Sequence, residues 1–263
     1  MTAALMRPAG VDEGFWPALA AAPRALLALD YDGTLAPFRV EREEAVPYPG
    51  LAALIADIAV RARTRVVVIS GRPAADAARL LGVEPAPEVW GGHGWERSTG
   101  GGDVRRELLP ALVEQRLAAA ATAAAAAGWQ ERCERKYAGV ALHWRGYEEP
   151  ARAAAAARAL LAPLVDGAPL ELLTFADGLE LRCNLWHKGR VMRRLLDEEP
   201  PGTVAAYLGD DRTDEDAFNV LAGGRQGLPV LVAPRWRSTA ALAWLRPPQD
   251  LRRFLTRWLE TRE

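Results

Sequence analysis

Apolar residues in this chain fall into short unbroken runs, each stopped by a polar or glycine-bearing turn. Ala25 to Leu29 runs into Asp30-Tyr31-Asp32-Gly33-Thr34, and Val66 to Ile69 into Ser70-Gly71-Arg72-Pro73. The segment near Val89 and Trp90 meets Gly91-Gly92-His93-Gly94, and Val204 to Leu208 meets Gly209-Asp210-Asp211. Continuous runs ended by turn chemistry predict parallel strands covered on both faces. Helical spacing lies between them: LAALIADIAVRA from Leu51, AADAARLL behind Pro73, a helix opening near Lys188, and a last one from Asp250 to about Leu259. Proline is tolerated in a first helical turn, so Pro73 fits the start of its helix. With a further short strand at Val230 to Val232, the alternation predicts a doubly wound α/β core, Rossmann-like in its parallel sheet.

The texture changes after Gly100-Gly101-Gly102. Leu117 to Ala127 and Ala151 to Ala162 are alanine-rich without Gly or Ser, which predicts helices and not flexible linkers. Alternating segments at Gln130 to Tyr137, Val140 to Arg145 and Leu179 to Cys183 predict antiparallel strands, with Ala138-Gly139 as a hairpin turn. The expected division is residues 1–101 as the first part of the core, 102–183 as an inserted α/β cap domain, and 184–263 as the second part of the core. Within the insert, Arg132, Glu134 and Lys136 share one strand face, His143 and Arg145 another, Glu180 and Arg182 a third, with Val140 and Leu142 on the opposite side. Such a face is either a solvated surface laced with cross-strand ion pairs or an array suited to a polyhydroxylated ligand.

Composition narrows the partners. The 263 residues carry 33 basic and 34 acidic side chains, for a net charge of -1. That balance argues against nucleic acid or an anionic membrane as the main partner. No apolar run nears the ~20 residues that span a bilayer, and MTAALMRPAG lacks the pattern of a secretory signal. The expectation is a cytoplasmic protein acting on a small molecule, as a monomer or weak oligomer. Cys133 and Cys183 form no metal-ligand spacing and are expected to be free thiols.

Chemistry concentrates where the strands end. Asp30 and Asp32 sit beyond the first strand's carboxyl edge, where open α/β sheets place their sites. One carboxylate can attack phosphorus while the second protonates the leaving oxygen and then activates water. Two anions facing a phosphate need a divalent cation, and Mg²⁺ suits oxygen ligands. The alternative for DYDGT is a capped acidic loop. Ser70 offers a hydroxyl at a helix start, either for a phosphate oxygen or as a cap. Lys188 can neutralise a transferring phosphoryl group or stand solvated. Asp210, Asp211, Asp214, Glu215 and Asp216 crowd five carboxylates into seven positions, a repulsion that a bound cation relieves.

The order DxDGT, Ser-Gly, Lys-Gly, GDDxxDED resembles the haloacid dehalogenase superfamily of phosphatases, with its four motifs at Asp30/Asp32, Ser70, Lys188 and Asp210/Asp211/Asp214. That resemblance implies Asp30 as nucleophile and Asp32 as general acid/base. It implies Mg²⁺ held by Asp30, the Asp32 backbone carbonyl and Asp210, with Asp211 and Asp214 supporting the metal and Lys188. Ser70 and Lys188 would grip the phosphoryl group. Gly92-His93-Gly94-Trp95-Glu96, Glu134-Arg135-Lys136, His143-Trp144-Arg145 and Glu180-Leu181-Arg182 ahead of Lys188-Gly189 further resemble the trehalose-6-phosphate phosphatase family. The implied substrate contacts are Arg72, His93, Gly94, Glu134, Lys136, Glu180 and Arg182, and the implied reaction is Mg²⁺-dependent release of phosphate from trehalose 6-phosphate. Trp95, Cys183 and His187 depart from the family pattern and bear on the sugar pocket. Trp95 and Trp186 either stack on a sugar or pack. Another glycosyl phosphate, such as that of glucosylglycerol or sucrose, and a catalytically silent sugar-phosphate binding module are the competing readings.

Overall fold

The computed structural model describes residues 10–39, 41–100, 102–175, 177–223 and 227–263. The opening residues 1–9, and Gly101 at the expected domain junction, lie outside them. Two compact units result: one from the residues up to Arg105 together with His187–Glu263, the other from Arg106–Trp186. In chain order the first unit contains α1 (Phe15–Ala21), β1 (Ala25–Leu29), α2 (Leu51–Arg61), β2 (Thr64–Ile69), α3 (Ala74–Leu81), β3 (Glu88–Gly91), β4 (Glu96–Ser98) and β5 (Val104–Arg106). The second holds α4 (Ala111–Ala126), β6 (Cys133–Lys136), β7 (Gly139–His143), α5 (Pro150–Leu161), β8 (Leu170–Phe175) and β9 (Gly178–Cys183). The chain returns through α6 (Lys188–Glu198), β10 (Val204–Gly209), α7 (Glu215–Ala222), β11 (Gly227–Val232), β12 (Ala243–Leu245) and α8 (Gln249–Arg262).

The larger unit is built on one sheet ordered β12-β11-β10-β1-β2-β3-β4-β5. It is parallel from β12 through β3, and β4 runs antiparallel to β3. Every residue of β1 and β10 is buried, which is why their sequence is unbrokenly apolar instead of alternating. Leu27, Leu29, Val66, Val68, Ala206 and Leu208 pack on one face with Leu19, Ile55, Ile58, Leu80, Phe254 and Trp258. On the other face α6 and α7 pack together, with α7 against β10 and β11. From β1 the chain winds outward through β2 and β3 on one side and β10, β11 and β12 on the other. The β1/β10 junction is therefore a topological switch point, where loops splay apart and leave a crevice at the strands' carboxyl ends.

In the smaller unit the antiparallel order is β6-β7-β9-β8. Val140, Leu142, Leu179 and Leu181 occupy one face by register, and α4 and α5 pack on β7 and β9. The alanine-rich helices bury Ala120, Ala124, Ala153 and Ala157, small side chains that let backbone approach the sheet. Three expectations change here. Gln130–Arg132 forms a 3-10 turn, so Arg132 leaves the sheet face and donates to the Arg145 carbonyl at 2.5 Å. Arg145 lies past β7 and pairs with Asp177, and Gly139 already pairs with Lys136, which moves the hairpin turn to Tyr137-Ala138. Cys133 lies opposite Leu142, itself opposite Leu179, while Cys183 is four residues further along β9. That is about 13 Å along the strand, beyond disulfide reach, and both thiols are free.

Hydropathy alone does not predict α1, α7, β4, β5, β8 or β12. Three-residue strands are too short to show a period, and α7 begins inside the acidic run. Because β5 joins the edge of the larger sheet, the core continues past the glycine run at 100–102.

Candidate active site

The crevice side chains are set by how β1 ends. The ladder extends one step beyond the strand, with Asp30 N–H donating to the Leu208 carbonyl at 2.8 Å, and the chain then doubles back as Leu35 and Ala36 N–H groups donate to the Tyr31 carbonyl. Gly33 sits at φ 87°, and a Cβ there would lie 2.2 Å from Asp210 Oδ2. Only glycine tolerates both the left-handed backbone and the approach of that carboxylate.

Asp30 is buried and held at both oxygens: Lys188 Nζ donates to Oδ1 at 2.6 Å, and Thr34 Oγ1 to Oδ2 at 3.2 Å. Lys188 also donates to Asp214 Oδ1 at 2.7 Å, which leaves one of its three N–H groups uncommitted to these two acids. Asp214 is the hub of the cluster. Its Oδ1 additionally accepts from Tyr207 Oη at 2.5 Å, and its Oδ2 accepts from the N–H groups of Asp210 and Asp211 at 2.9 and 3.0 Å. Burial pushes Asp30 up to about 7 despite the pull of Lys188. Burial, with Asp30 and Asp214 adding repulsion, drives Asp210 up to about 10. Burial also opposes the charge on Lys188, but Asp214 and Asp30 outweigh it and hold the ammonium above the usual lysine range.

Oxygens of Asp30, Asp210 and Asp214 lie within 4.8 Å of one another. Asp214 has spent its oxygens on four donors, whereas Asp210 Oδ1 is buried and finds no hydrogen-bond partner among the described residues. A hard divalent cation fits this set through Asp30 and Asp210, because it supplies the charge that three acids and one lysine lack. The Asp32 carboxylate points elsewhere: Arg72 grips it bidentately, Nε to Oδ2 at 2.7 Å and Nη2 to Oδ1 at 2.6 Å.

Arg72 is therefore brought to Asp32, the general acid/base expected from the sequence. Ser70 is buried, and its Oγ accepts from Arg72 N–H at 3.1 Å, leaving the hydroxyl proton to donate. The turn holding His93 and Gly94 is stitched onto the same loop, with His93 N–H donating to the Ser70 carbonyl at 2.9 Å and Gly92 N–H to the Arg72 carbonyl at 2.8 Å. Glu96 accepts from Ala74 N–H at 2.8 Å and so caps α3. Asp211 is exposed and caps the Arg212–Asp214 turn through Thr213, while Asp214 alone of the pair bonds Lys188. Trp95 and Trp186 are both buried, as packing residues are.

In the smaller unit, register places Glu134, Lys136, His143, Glu180 and Arg182 on one sheet face, where three cross-strand pairs form. Lys136 bonds Glu180 at 2.8 Å, His143 bonds Glu134 at 3.1 Å, and Arg182 bonds Glu171 at 2.8 Å. Lys136 reaches across β7 because Gly139 has no side chain; a Cβ there would lie 2.7 Å from Glu180 Oε1. The sequence reading missed Tyr207 and Thr34. A tyrosine inside a fully buried strand is the available signal, because its hydroxyl requires a partner.

Comparison with known proteins agrees with this geometry. The family model for trehalose-phosphatase matches residues 28–243. The trehalose-phosphate phosphatase of Mycobacterium marinum is 32% identical over 258 residues, covering 89% of this chain and 61% of that protein. The chain thus spans about three fifths of the length of the curated relatives it matches. Trehalose-6-phosphate phosphatase of Aspergillus fumigatus superposes with a TM-score of 0.71 at 24% identity, over 97% of this chain and all of that one. A Bacteroides thetaiotaomicron phosphatase of the HAD superfamily gives 0.61 at 15% identity, over 89% and 94% of the two chains. These two likenesses establish the HAD fold. No helix among the described residues is long and apolar enough to cross a membrane. By the extent of the family match and its identity to curated relatives, this chain belongs to the trehalose-phosphatase family.

Proposed function

We propose that this protein is a Mg²⁺-dependent phosphatase that hydrolyses trehalose 6-phosphate to trehalose and phosphate. The observation that carries the proposal is Asp30, a buried carboxylate fixed by Lys188 and Thr34 beside Asp210, whose Oδ1 has no partner among the described residues. Asp30 attacks phosphorus to give an aspartyl phosphate. The remaining Lys188 N–H and the Ser70 hydroxyl take phosphoryl oxygens. Asp32 gives its proton to the departing sugar oxygen and then takes one from the attacking water; the Arg72 fork matches the charged form needed in that second half. Asp214, with Asp211 shaping its turn, keeps Lys188 in place. Held by Asp30, Asp210 and the Asp32 carbonyl, Mg²⁺ would supply the positive charge that lets carboxylates and phosphate share one site. Hydrolysis of such an ester demands on the order of 20 kcal/mol of transition-state stabilisation, for which positioning and charge are the available sources.

Glu134, Lys136 and Glu180, with Arg182 beside them, take the sugar hydroxyls in this reading, and Arg72 and the His93-Gly94 turn flank the phosphate. The same reading puts the protein in the cytoplasm as a monomer or weak oligomer. Phosphate release from trehalose 6-phosphate, glucosylglycerol phosphate, sucrose phosphate and glucose 6-phosphate tests it. Trehalose 6-phosphate is expected to show the highest kcat/KM, and Asp30→Asn to lower it by about 10⁴-fold or more with the circular-dichroism melt preserved. Faster turnover of another ester overturns the substrate. Undiminished activity of Asp30→Asn, or in EDTA, overturns the mechanism, and no release from any ester leaves a binding module.

A further inference from the structure

The loop between β11 and β12 sends Arg237 back to the acidic turn after β10. Its Nε donates to the Asp210 carbonyl at 3.2 Å and its Nη2 to the Asp211 carbonyl at 2.6 Å. Nη1 pairs with Glu215 Oε1 and donates to the Ser238 carbonyl at 3.1 Å. Glu215 in turn accepts from Ala240 N–H at 2.8 Å, so the guanidinium is itself fixed from two sides. The backbone amides of Asp210 and Asp211 already donate to Asp214. The peptide joining the two aspartates is therefore gripped at both ends, its N–H by Asp214 and its C=O by Arg237. A peptide plane held this way cannot rotate, and the Asp210 Cα–Cβ bond keeps its direction toward Asp30. A planar fork reaching two carbonyls at once is a task for arginine and not for lysine.

We propose that Arg237 is a positioning residue for the divalent-cation site, orienting the Asp210 carboxylate through its backbone while offsetting the crowd of acids around it. The inference rests on the Mg²⁺ site proposed above. It assigns to Arg237 the supporting role that groups one step removed from a metal's ligands fill, whose loss costs about 10- to 100-fold in metal affinity.

Mg²⁺ titration by calorimetry and Mn²⁺ titration by electron paramagnetic resonance test it on the full chain, in wild type, Arg237→Met, Arg237→Lys and the exposed control Arg253→Met. Arg237→Met is expected to weaken both ions by about 10- to 100-fold, Arg237→Lys to fall between it and wild type, and Arg253→Met to match wild type. In turnover, the Mg²⁺ activation constant rises while KM for the sugar phosphate at saturating Mg²⁺ stays put, a split that mere loosening of the fold does not produce. Should Arg237→Met not fold, Arg237→Lys carries the test. Equal affinities in wild type and a folded Arg237 variant overturn the proposal. A wild type that binds neither ion overturns the Mg²⁺ reading itself, and this inference with it.

Discussion

Two charge clusters sit at the two ends of α6, and they are balanced in opposite ways. At its start, Lys188 faces Asp30, Asp210 and Asp214, three acids to one cation. At its end, Glu198 and Glu199 join Glu88 in a network with Arg65, Arg97, Arg194 and Arg24. The guanidinium groups of Arg97 and Arg194 both lie over the Trp90 ring, 4.9 and 5.5 Å from its centroid. The acids respond accordingly. Burial pushes Glu198 up, but Arg97 and Arg65 overcome it and bring it down to about 2, whereas Asp210 rises to about 10. A cluster supplied with its own counter-charges is part of the scaffold; one left short of them is built for something that arrives.

The strongest way to break this contrast is Lys188→Met. Stripped of the cation that bonds Asp30 and Asp214, the acidic end is expected to lose about 3–5 kcal/mol of stability in urea denaturation with EDTA present, and turnover is expected to fall by about 10²–10³-fold. Mg²⁺ itself is next. At about 100 times its Kd it should stabilise wild type by about 2.7 kcal/mol through linkage, seen as a higher Tm by calorimetry, and the increment should shrink sharply in Asp210→Asn. The balanced end should answer differently. Arg65→Met leaves Glu88, Glu198 and Glu199 without their shared partner and is expected to cost about 2 kcal/mol, with kcat/KM and Mg²⁺ affinity at wild-type values.

The smallest effect is a pH dependence. Glu198 titrates near 4.5 when unfolded and about 2 when folded, so its contribution is complete above pH 4.5 and drains away as pH falls toward 2. For a partly exposed group the amount is about 1 kcal/mol after screening. Glu198→Gln should flatten that part of the curve of stability against pH, measured by urea denaturation between pH 5 and 2.5.

The acidic end was legible in the sequence because its residues sit where strands stop, and position alone says that Asp30, Ser70 and Asp210 share an edge. Lys188 could be placed by the helix it opens. Arg237 could not: it lies in an irregular loop 26 residues beyond Asp211, and no periodicity links a coil arginine to a carbonyl. Tyr207 was hidden for the opposite reason, since an aromatic in VAAYLG looks like ordinary core. Arg72 was expected at the substrate, and nothing in the sequence pattern shows that its fork closes on Asp32, 40 positions earlier. The Arg65 network is not legible in the sequence because its members are scattered over Arg24 before β1, then β2, β3, β4 and the C-terminal part of α6. The sugar-facing candidates were half legible: alternation put Glu134, Lys136, Glu180 and Arg182 on one face, but a strand that starts three residues late removed Arg132 from it.

Because α6 is anchored by charge at its first residue and again at its last, its length behaves as a gauge. Deleting or inserting one residue between Lys188 and Glu198 would swing one end by about 100° relative to the other, so only one anchor could still engage. Substitutions at exposed positions in the middle of this helix leave that spacing intact, while changes in residue number do not. Laboratory schemes that vary loop and helix lengths in this protein should leave this segment intact.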